Sequence, residues 1–261
     1  MIQTLDERLA RYPVDRYPVQ HATAQFHLGV ALTNAGRVPE AEAALATAAR
    51  VFSGRLPVEY AKTMNALGAV LRMQARVTES ITAFQTAGSL FATAALRPEE
   101  GAALYNLGLA QRENGDLTGA VASFRRAREL FEENNPHAKA ASMRELGAAE
   151  LQAGEVEAAI TTLTRAVDLA QSLGDQPGLG GAANVLGLAH LTAGDSRDAI
   201  TAFRLAAAAN PRSLRPADYA MAKANLALAF EAAADQPRAL LAAGQAAAVA
   251  SASAPVVSQA R

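Results

Sequence analysis

The feature that most constrains this chain is a Leu-Gly dipeptide that returns about every 40 residues. It stands in FHLGVAL, NALGAVL, YNLGLAQ, RELGAAE and NVLGLAH, and NLALAF is an altered sixth copy. A regular period of this length indicates a repeat architecture. The anchoring leucines follow one another at spacings of 39, 40, 39, 40 and 40 residues: Leu28, Leu67, Leu107, Leu146, Leu186 and Leu226.

Other positions keep the same register. The residue 20 positions after each anchor is always alanine: Ala48, Ala87, Ala127, Ala166, Ala206 and Ala246. The residue 17 positions after each anchor is bulky and apolar in five copies and small in the sixth: Leu45, Phe84, Phe124, Leu163, Phe203 and Ala243.

Each period predicts two helices joined by a turn. The stretches AGRVPEA, NGDLTGA, AGEVEAA and AGDSRDA lie after the anchors, so that a glycine ends one helix and a polar residue caps the next. Proline is tolerated at the first position of a helix, and a proline precedes every anchor by nine or ten residues: Pro18, Pro57, Pro98, Pro136, Pro177 and Pro216. One such hairpin cannot bury its apolar face alone, but stacked copies can.

We therefore expect an all-α chain of about six helix hairpins, preceded by a half-repeat and forming one solenoid domain at residues 1–250. A tail at 251–261 is small and polar, and we expect it to be disordered. The expected boundaries are 1–13 for the half-repeat and 18–56, 57–96, 97–135, 136–175, 176–215 and 216–250 for the repeats.

Composition narrows the classes of function. The net charge of −1 gives no reason to expect nucleic acid or a membrane as partner. The absence of cysteine excludes disulfides, thiolate metal sites and a thiol nucleophile. The beginning of the sequence has no apolar core typical of a secretory signal, so we expect a cytoplasmic protein.

No catalytic constellation is present in the sequence. It contains no HExxH, P-loop or GxSxG motif, and His21 and His27 are six residues apart, which places them on different faces of a helix. We therefore expect no enzymatic activity, no cofactor and no metal.

The third copy, LYNLGLAQRENGDLTGAVASFRRA, resembles the tetratricopeptide repeat through Leu107, Gly108, Gly115, Ala120, Phe124 and Ala127. The common form of that repeat is about 34 residues long. The longer period here is similar to that of kinesin light chains and bacterial signalling proteins, and VFSGRLPVEYAKTMNALG is similar to repeats that accompany CHAT proteases in bacteria.

This resemblance implies a right-handed α-solenoid whose first helices line a concave groove that grips peptides or partner helices. The groove face comprises the positions −5, −2, −1, +2, +5 and +6 relative to each anchor, which lie on one side of a helix. The candidate binding residues on it are Phe26, His27, Lys62, Asn65, Arg72, Tyr105, Asn106, Arg112, Arg144, Asn184 and Asn225.

Three features of this face suggest what it binds. Its middle is basic, through Lys62, Arg72, Arg112 and Arg144 with only Glu113 and Glu145 opposing, which favours a partner with some acidic character. Its asparagines can pair with the backbone of an extended peptide, as in related repeat proteins, or can only solvate the face or bond to a neighbouring helix. Position +2 lacks the asparagine of carboxylate-clamp relatives and is aliphatic, which favours apolar anchors in the partner: Val30, Ala69, Leu109, Ala148, Leu188 and Leu228.

The sequence therefore predicts a non-catalytic scaffold or adaptor that binds a protein or peptide in its groove. The alternative is a sensory domain that binds a short peptide or metabolite and changes its curvature. Because the last helix, PRALLAAGQAAAVA, has few polar residues, we also expect one end to pack against a second copy or another protein.

Overall fold

The computed structural model describes residues 2–131 and 135–253 and divides the chain into two compact units, Met1–Glu132 and Glu133–Arg261. Unit 1 contains seven described helices: α1 Ile2–Arg11, α2 Pro18–Asn34, α3 Val38–Phe52, α4 Pro57–Met73, α5 Val77–Thr93, α6 Arg97–Glu113 and α7 Leu117–Leu130. Unit 2 contains six: α8 Pro136–Gln152, α9 Val156–Ser172, α10 Gln176–Ala193, α11 Ser196–Ala209, α12 Pro216–Ala232 and α13 Gln236–Ser253.

The predicted all-α fold is confirmed for the described residues. Within each unit, every helix packs against the next one in the chain, and the helices form sequential antiparallel pairs of a repeat solenoid. The predicted disordered tail lies outside the described residues, apart from 251–253, which belong to α13.

The prolines begin the first helix of each pair, as the sequence predicts. Pro18, Pro57, Pro136 and Pro216 are the first residues of their helices, and Pro98 and Pro177 are the second residues of theirs. Their missing N–H groups have no intrahelical partner at these positions, so the helices lose no hydrogen bond.

The two helices of a pair are held at close range by a glycine beneath a bulky side chain. A Cβ added at Gly108 would lie 2.8 Å from Cε1 of Phe124, which is fully buried. The same crowding joins the glycine one position after the anchor to the residue 17 positions after it in four more pairs: Gly29 with Leu45, Gly68 with Phe84, Gly147 with Leu163 and Gly187 with Phe203.

The sixth pair has alanine at both of these positions. Ala227 stands where the other copies have this glycine, and Ala243 stands where they have the bulky residue. A Cβ at the first position would collide with a bulky side chain at the second, so alanine at the first position is accompanied by a small residue at the second.

We expect Gly108→Ala to destabilise unit 1 by about 1–3 kcal/mol, because the added methyl group overpacks the contact with Phe124. Phe124→Ala alone should cost about 3–5 kcal/mol through the cavity that it leaves. The double variant should cost clearly less than the sum of the two, as urea unfolding followed by circular dichroism will measure. The control Gly88→Ala, in α5 of the same unit, should not destabilise the protein, because an added Cβ there would lie 3.9 Å from its nearest neighbour, Cδ2 of Leu104. Strictly additive costs would contradict this packing.

The turn inside each pair needs a residue in the left-handed region of backbone space. Glycine supplies it at Gly36, Gly115, Gly154 and Gly194, with φ between 72° and 88°. In repeats 2 and 6 alanine takes this place, and Ala75 and Ala234 have φ values of 59° and 57°. An L-residue with a Cβ is strained there, by roughly 1–2 kcal/mol.

Ala75→Gly should therefore raise the free energy of unfolding by about 0.5–1 kcal/mol, because it removes this strain at some cost in chain entropy. The reciprocal change Gly115→Ala, at the same turn position of repeat 3, should lower it by a similar amount. Thermal unfolding of the two variants beside the parent chain measures both. A destabilising Ala75→Gly would show that the positive φ carries no strain.

The predicted polar caps are confirmed at only some of these turns. The carboxylate of Asp116 accepts from the backbone N–H of Gly119 at 2.9 Å, and that of Asp235 accepts from Arg238 at 3.2 Å. Glu155 and Asp195 make no such bond, and in repeats 1 and 2 the cap positions hold arginine, which has no acceptor atom.

Arg76 instead joins two repeats of unit 1. Its guanidinium donates to Glu42 of α3 at 2.6 Å and to Glu79 of α5 at 2.6 Å. Hydrogen bonds from Gln74 and then Arg76 lower the pKa of Glu42, and the bond from Arg76 lowers the pKa of Glu79. Because both pKa values are depressed, this stabilisation is present at neutral pH and is lost as the pH falls through the folded-state pKa values.

Candidate functional site: the first-helix faces

One set of positions on the first helix of each pair is exposed or partly exposed in nearly every repeat. This first-helix face comprises the positions −5, −2, −1, +2, +5 and +6 relative to each anchor. In unit 1 it is formed by α2, α4 and α6, where α4 contacts both neighbours; in unit 2 it is formed by α8, α10 and α12, where α10 does so. Each unit thus has a continuous row of three first helices.

The four candidate asparagines form two hydrogen-bonded pairs across neighbouring first helices. The side-chain amide of Asn106 donates to Oδ1 of Asn65 at 3.1 Å in unit 1, and Asn225 donates to Asn184 at 2.9 Å in unit 2. Both pairs join residues 41 positions apart. The expectation that these amides bond to a neighbouring helix is therefore confirmed, and their use by a peptide stays a prediction.

Pairing leaves these amides with further hydrogen-bonding capacity. Each asparagine has two N–H donors and an oxygen with two lone pairs, and one donor and one acceptor are used in each pair. Asn65, Asn106 and Asn225 are partly exposed, whereas Asn184 is buried. The remaining N–H groups and oxygen lone pairs of these amides can therefore bond to a ligand lying along the row without breaking the asparagine pair.

The cations of unit 1 have carboxylate partners. Arg72 of α4 donates to Glu113 of α6 at 2.5 Å, again 41 positions away, and Lys62 donates to Glu59 at 2.9 Å. Arg112 is partly buried on the same face. Because Lys62 and Arg72 are each paired with a carboxylate, this face of unit 1 is less basic than its arginines and lysine alone suggest.

In unit 2 the candidate Arg144 contacts both its own helix and α10. Its guanidinium donates to Glu145 at 2.8 Å, and its aliphatic stem crosses α10 at Gly181, where an added Cβ would lie 3.3 Å from Cδ of Arg144. The charge of Arg144 is thus matched by its neighbour, and the glycine makes room for its side chain.

Of the three candidates with aromatic rings, two are partly buried and one is exposed. Phe26 is partly buried and packs against the buried apolar residues of repeat 1, and its ring meets that of the exposed His27 edge-on at 5.2 Å between centroids. Tyr105 is partly buried and contacts the ring of Phe124 at 5.7 Å. Of these three side chains, His27 is the one most open to a ligand.

Aliphatic side chains reach solvent on these faces. In unit 2, Met221 is 50% exposed and Leu228 is 53% exposed, one on either side of Asn225 along α12. In unit 1, Val30 is exposed on α2. These residues supply the apolar contacts that the sequence predicts at position +2, and Met221 adds one at position −5.

A hollow beside α1 and α2 was not predicted from the sequence. Its volume is about 460 Å³, and Arg11, Gln20, Thr23 and His27 contribute its polar walls. His27 was the one candidate among them; Thr23 occupies position −5 of the same face but was not selected, and Arg11 precedes the first repeat. The hollow forms where the end of α1 meets α2. The repeat pattern does not predict this junction, because α1 precedes the first full repeat.

Two kinds of site are not found in the part of the chain that the structure describes. No group of three or more histidine, aspartate or glutamate side chains there could hold a metal ion. No helix among those residues has both the length and the apolarity needed to cross a bilayer.

The comparison with protein families decides the identity of this architecture. One tetratricopeptide repeat model matches residues 59–133 and 138–212, and a second matches residues 5–55 and 184–255. The chain belongs to the tetratricopeptide repeat family. Such repeats generally act as protein-interaction scaffolds and are typically non-catalytic. No curated protein matches the sequence.

Solved structures of other repeat proteins share the fold. A putative kinesin light chain with nearly identical TPR-like repeats from Podosopora anserina is 18% identical, with 76% of this chain and 98% of that chain covered and a TM-score of 0.64. BtubC (BKLC) from P. vanneervenii is 16% identical, with coverage of 87% and 91% and a TM-score of 0.67. The apo form of RapI is 13% identical, with coverage of 89% and 84% and a TM-score of 0.63. The predicted likeness to kinesin light chain repeats is thereby confirmed for the fold.

The asparagine pairs should contribute more to stability than the ion pair on the same kind of face. A double-mutant cycle of Asn184→Ala and Asn225→Ala should give a coupling energy of about 0.5–1.5 kcal/mol, as expected for a hydrogen bond with a buried member. The cycle of Arg72→Ala and Glu113→Ala should give less, because both side chains are about one third or more exposed. Urea unfolding of each set measures both energies, and equal coupling at the two pairs would contradict this ranking.

Proposed function

We propose that this chain is a non-catalytic, cytoplasmic scaffold that binds a peptide or a segment of another protein along its first-helix faces. The observation that carries the proposal is the repeated asparagine pair, found once in each unit beside exposed side chains. A row of amides offers donors and acceptors to any peptide backbone, while the neighbouring aliphatic residues supply contacts for its side chains.

The chemistry of the faces favours a partner that is largely apolar with modest acidic character. In unit 2 the charge of Arg144 is matched by Glu145, and Met221 and Leu228 are exposed beside Asn225. In unit 1 Lys62 and Arg72 are matched by Glu59 and Glu113. We therefore expect selected ligands to carry aliphatic anchors and one or two carboxylates rather than a long acidic run.

A displayed library of random 12-residue peptides, selected on the purified chain, tests this proposal. The selected peptides should be enriched in aliphatic and acidic residues. Asn106→Ala combined with Asn184→Ala should weaken binding of a selected peptide by more than about 1 kcal/mol, or roughly fivefold, because bonds to the peptide backbone are lost. Fluorescence polarisation of the labelled peptide gives both affinities.

The matched control is Thr161→Ala combined with Thr201→Ala, which changes two exposed residues on second helices. This variant should bind the selected peptide as the parent chain does. Unchanged affinity in the asparagine variant, with thermal stability showing that both variants fold, would exclude the amide rows as the peptide site.

The hollow beside α1 supports the second candidate function, binding of a small signal. Its walls combine the guanidinium of Arg11 with the polar side chains of Gln20, Thr23 and His27, so a small carboxylate or a short peptide terminus would suit it. Thermal shift measurements with a panel of small carboxylates and dipeptides should then show stabilisation that Arg11→Gln removes. If no compound stabilises the parent chain, this candidate fails.

A further inference from the structure

The second helix of the last pair differs from the other five on its exposed side. The positions 15, 18 and 22 after each anchor, which we call the outer row, are exposed in all six repeats. In repeats 1 to 5 every outer row contains a charged or hydrogen-bonding side chain: Arg50, Gln85, Arg125, Asp168 and Arg204 are examples. In repeat 6 the row is Leu241, Gly244 and Ala248. Since the row faces solvent in every repeat, the place of α13 as the last described helix does not account for its apolar character.

The neighbouring positions widen this apolar surface. Leu240 is 66% exposed and Leu241 is 64% exposed. The residues that correspond to Leu240 in repeats 4 and 5, Ile160 and Ile200, pack against the core. Together with the exposed Ala247, these side chains form an uncharged stripe along α13: Leu240, Leu241, Gly244, Ala247 and Ala248.

Gly244 has no role inside the described fold. An added Cβ at this position would meet nothing within 4 Å, and its φ is not positive. The other helical glycines of the described chain have neighbours within that distance, as Gly108 has Phe124. A glycine in the middle of an exposed helix costs about 0.5–1 kcal/mol relative to alanine. Close approach of another backbone from outside would account for the absence of a side chain here.

The order of large and small residues along the stripe is self-complementary. Two leucines precede Gly244 by four and three residues, and two alanines follow it by three and four. When two such helices run antiparallel with their glycines at the crossing point, each leucine lies opposite an alanine. A twofold axis requires this arrangement, in which the same surface serves both partners.

We propose that α13 pairs with α13 of a second copy of this chain, antiparallel, across a twofold axis at Gly244. Leu240 of each copy lies over Ala248 of the other, and Leu241 over Ala247. Ala248 and Gly244 are also walls of a hollow of about 400 Å³, together with Tyr219 and Leu241, which gives the incoming leucine a place to enter.

The flanks of the stripe extend the contact area. Arg212 lies at the edge, where its guanidinium donates to the carbonyl oxygen of Ala248 at 3.2 Å. Specific interfaces bury about 1,200–2,000 Å² in total, more than one short helix pair provides. The dimer should therefore be weak and dependent on concentration. The dimer uses a different surface from the first-helix faces, so its formation can be tested independently of peptide binding.

Sedimentation equilibrium of the full chain from about 5 to 500 µM tests the association, a range suited to the weak interface expected from its area. The mass of the parent chain should rise from 27.1 kDa towards twice that value. Leu241→Glu should stay monomeric with an unchanged circular dichroism spectrum, because it places two carboxylates in the contact. Thr201→Glu, at the same outer-row position of repeat 5, should associate like the parent chain. A parent chain that remains monomeric at the highest concentration would overturn the proposal.

Cysteine cross-linking tests the twofold axis itself. The chain contains no cysteine, so a single introduced thiol has no partner except in another copy. Gly244→Cys should form a covalent dimer under mild copper–phenanthroline oxidation, because residues on the axis face themselves at a separation that a disulfide can span. Arg204→Cys, at the equivalent outer-row position of repeat 5, should remain monomeric. Equal cross-linking of the two variants, or none at Gly244→Cys in a chain that dimerises, would exclude this interface.

Discussion

The contact on which the rest of this structure depends is the one between a glycine in each first helix and the bulky side chain above it. Five of the six pairs place phenylalanine or leucine where an added Cβ would collide with it, so the two helix backbones approach as closely as the glycine permits. This contact fixes how each second helix lies on its first helix. In the sixth pair Ala227 replaces this glycine, and the residue opposite it, Ala243, is small and exposed instead of bulky and buried.

Because each pair is built in the same way, the residues of successive first helices come into a fixed relation, offset by one position. Asn65 meets Asn106, Asn184 meets Asn225, and Arg72 meets Glu113, and in each case the separation is 41 residues. A single packing rule inside the repeats therefore produces the same contact between repeats in both units. The polar rows on the first-helix faces are a consequence of that rule, and they are what a peptide ligand would encounter.

The sequence was sufficient to predict the class of fold and the positions at which the first helices begin. The period and the prolines are local signals, and the packing of small and large residues preserves them in every copy. The partners of the polar residues could not be predicted. These partners lie 41 residues apart, one more than the 40-residue period, and this shift depends on how neighbouring first helices are displaced along their axes. The count of basic residues therefore overstated the positive charge, because it placed Arg72 and Glu113 on one face without joining them. The hollow at Arg11 was missed because it lies where the half-repeat ends and no repeated pattern applies.

The central claim is that the asparagine pairs bind a ligand as well as each other. The most direct measurement is the ¹⁵N NMR spectrum of the side-chain amides of Asn65, Asn106, Asn184 and Asn225 during titration with a library-selected peptide. The account predicts that these resonances shift with the same dissociation constant as the peptide and that their protons become protected from exchange. Unchanged asparagine amides, in a spectrum where other residues respond to the peptide, would contradict it.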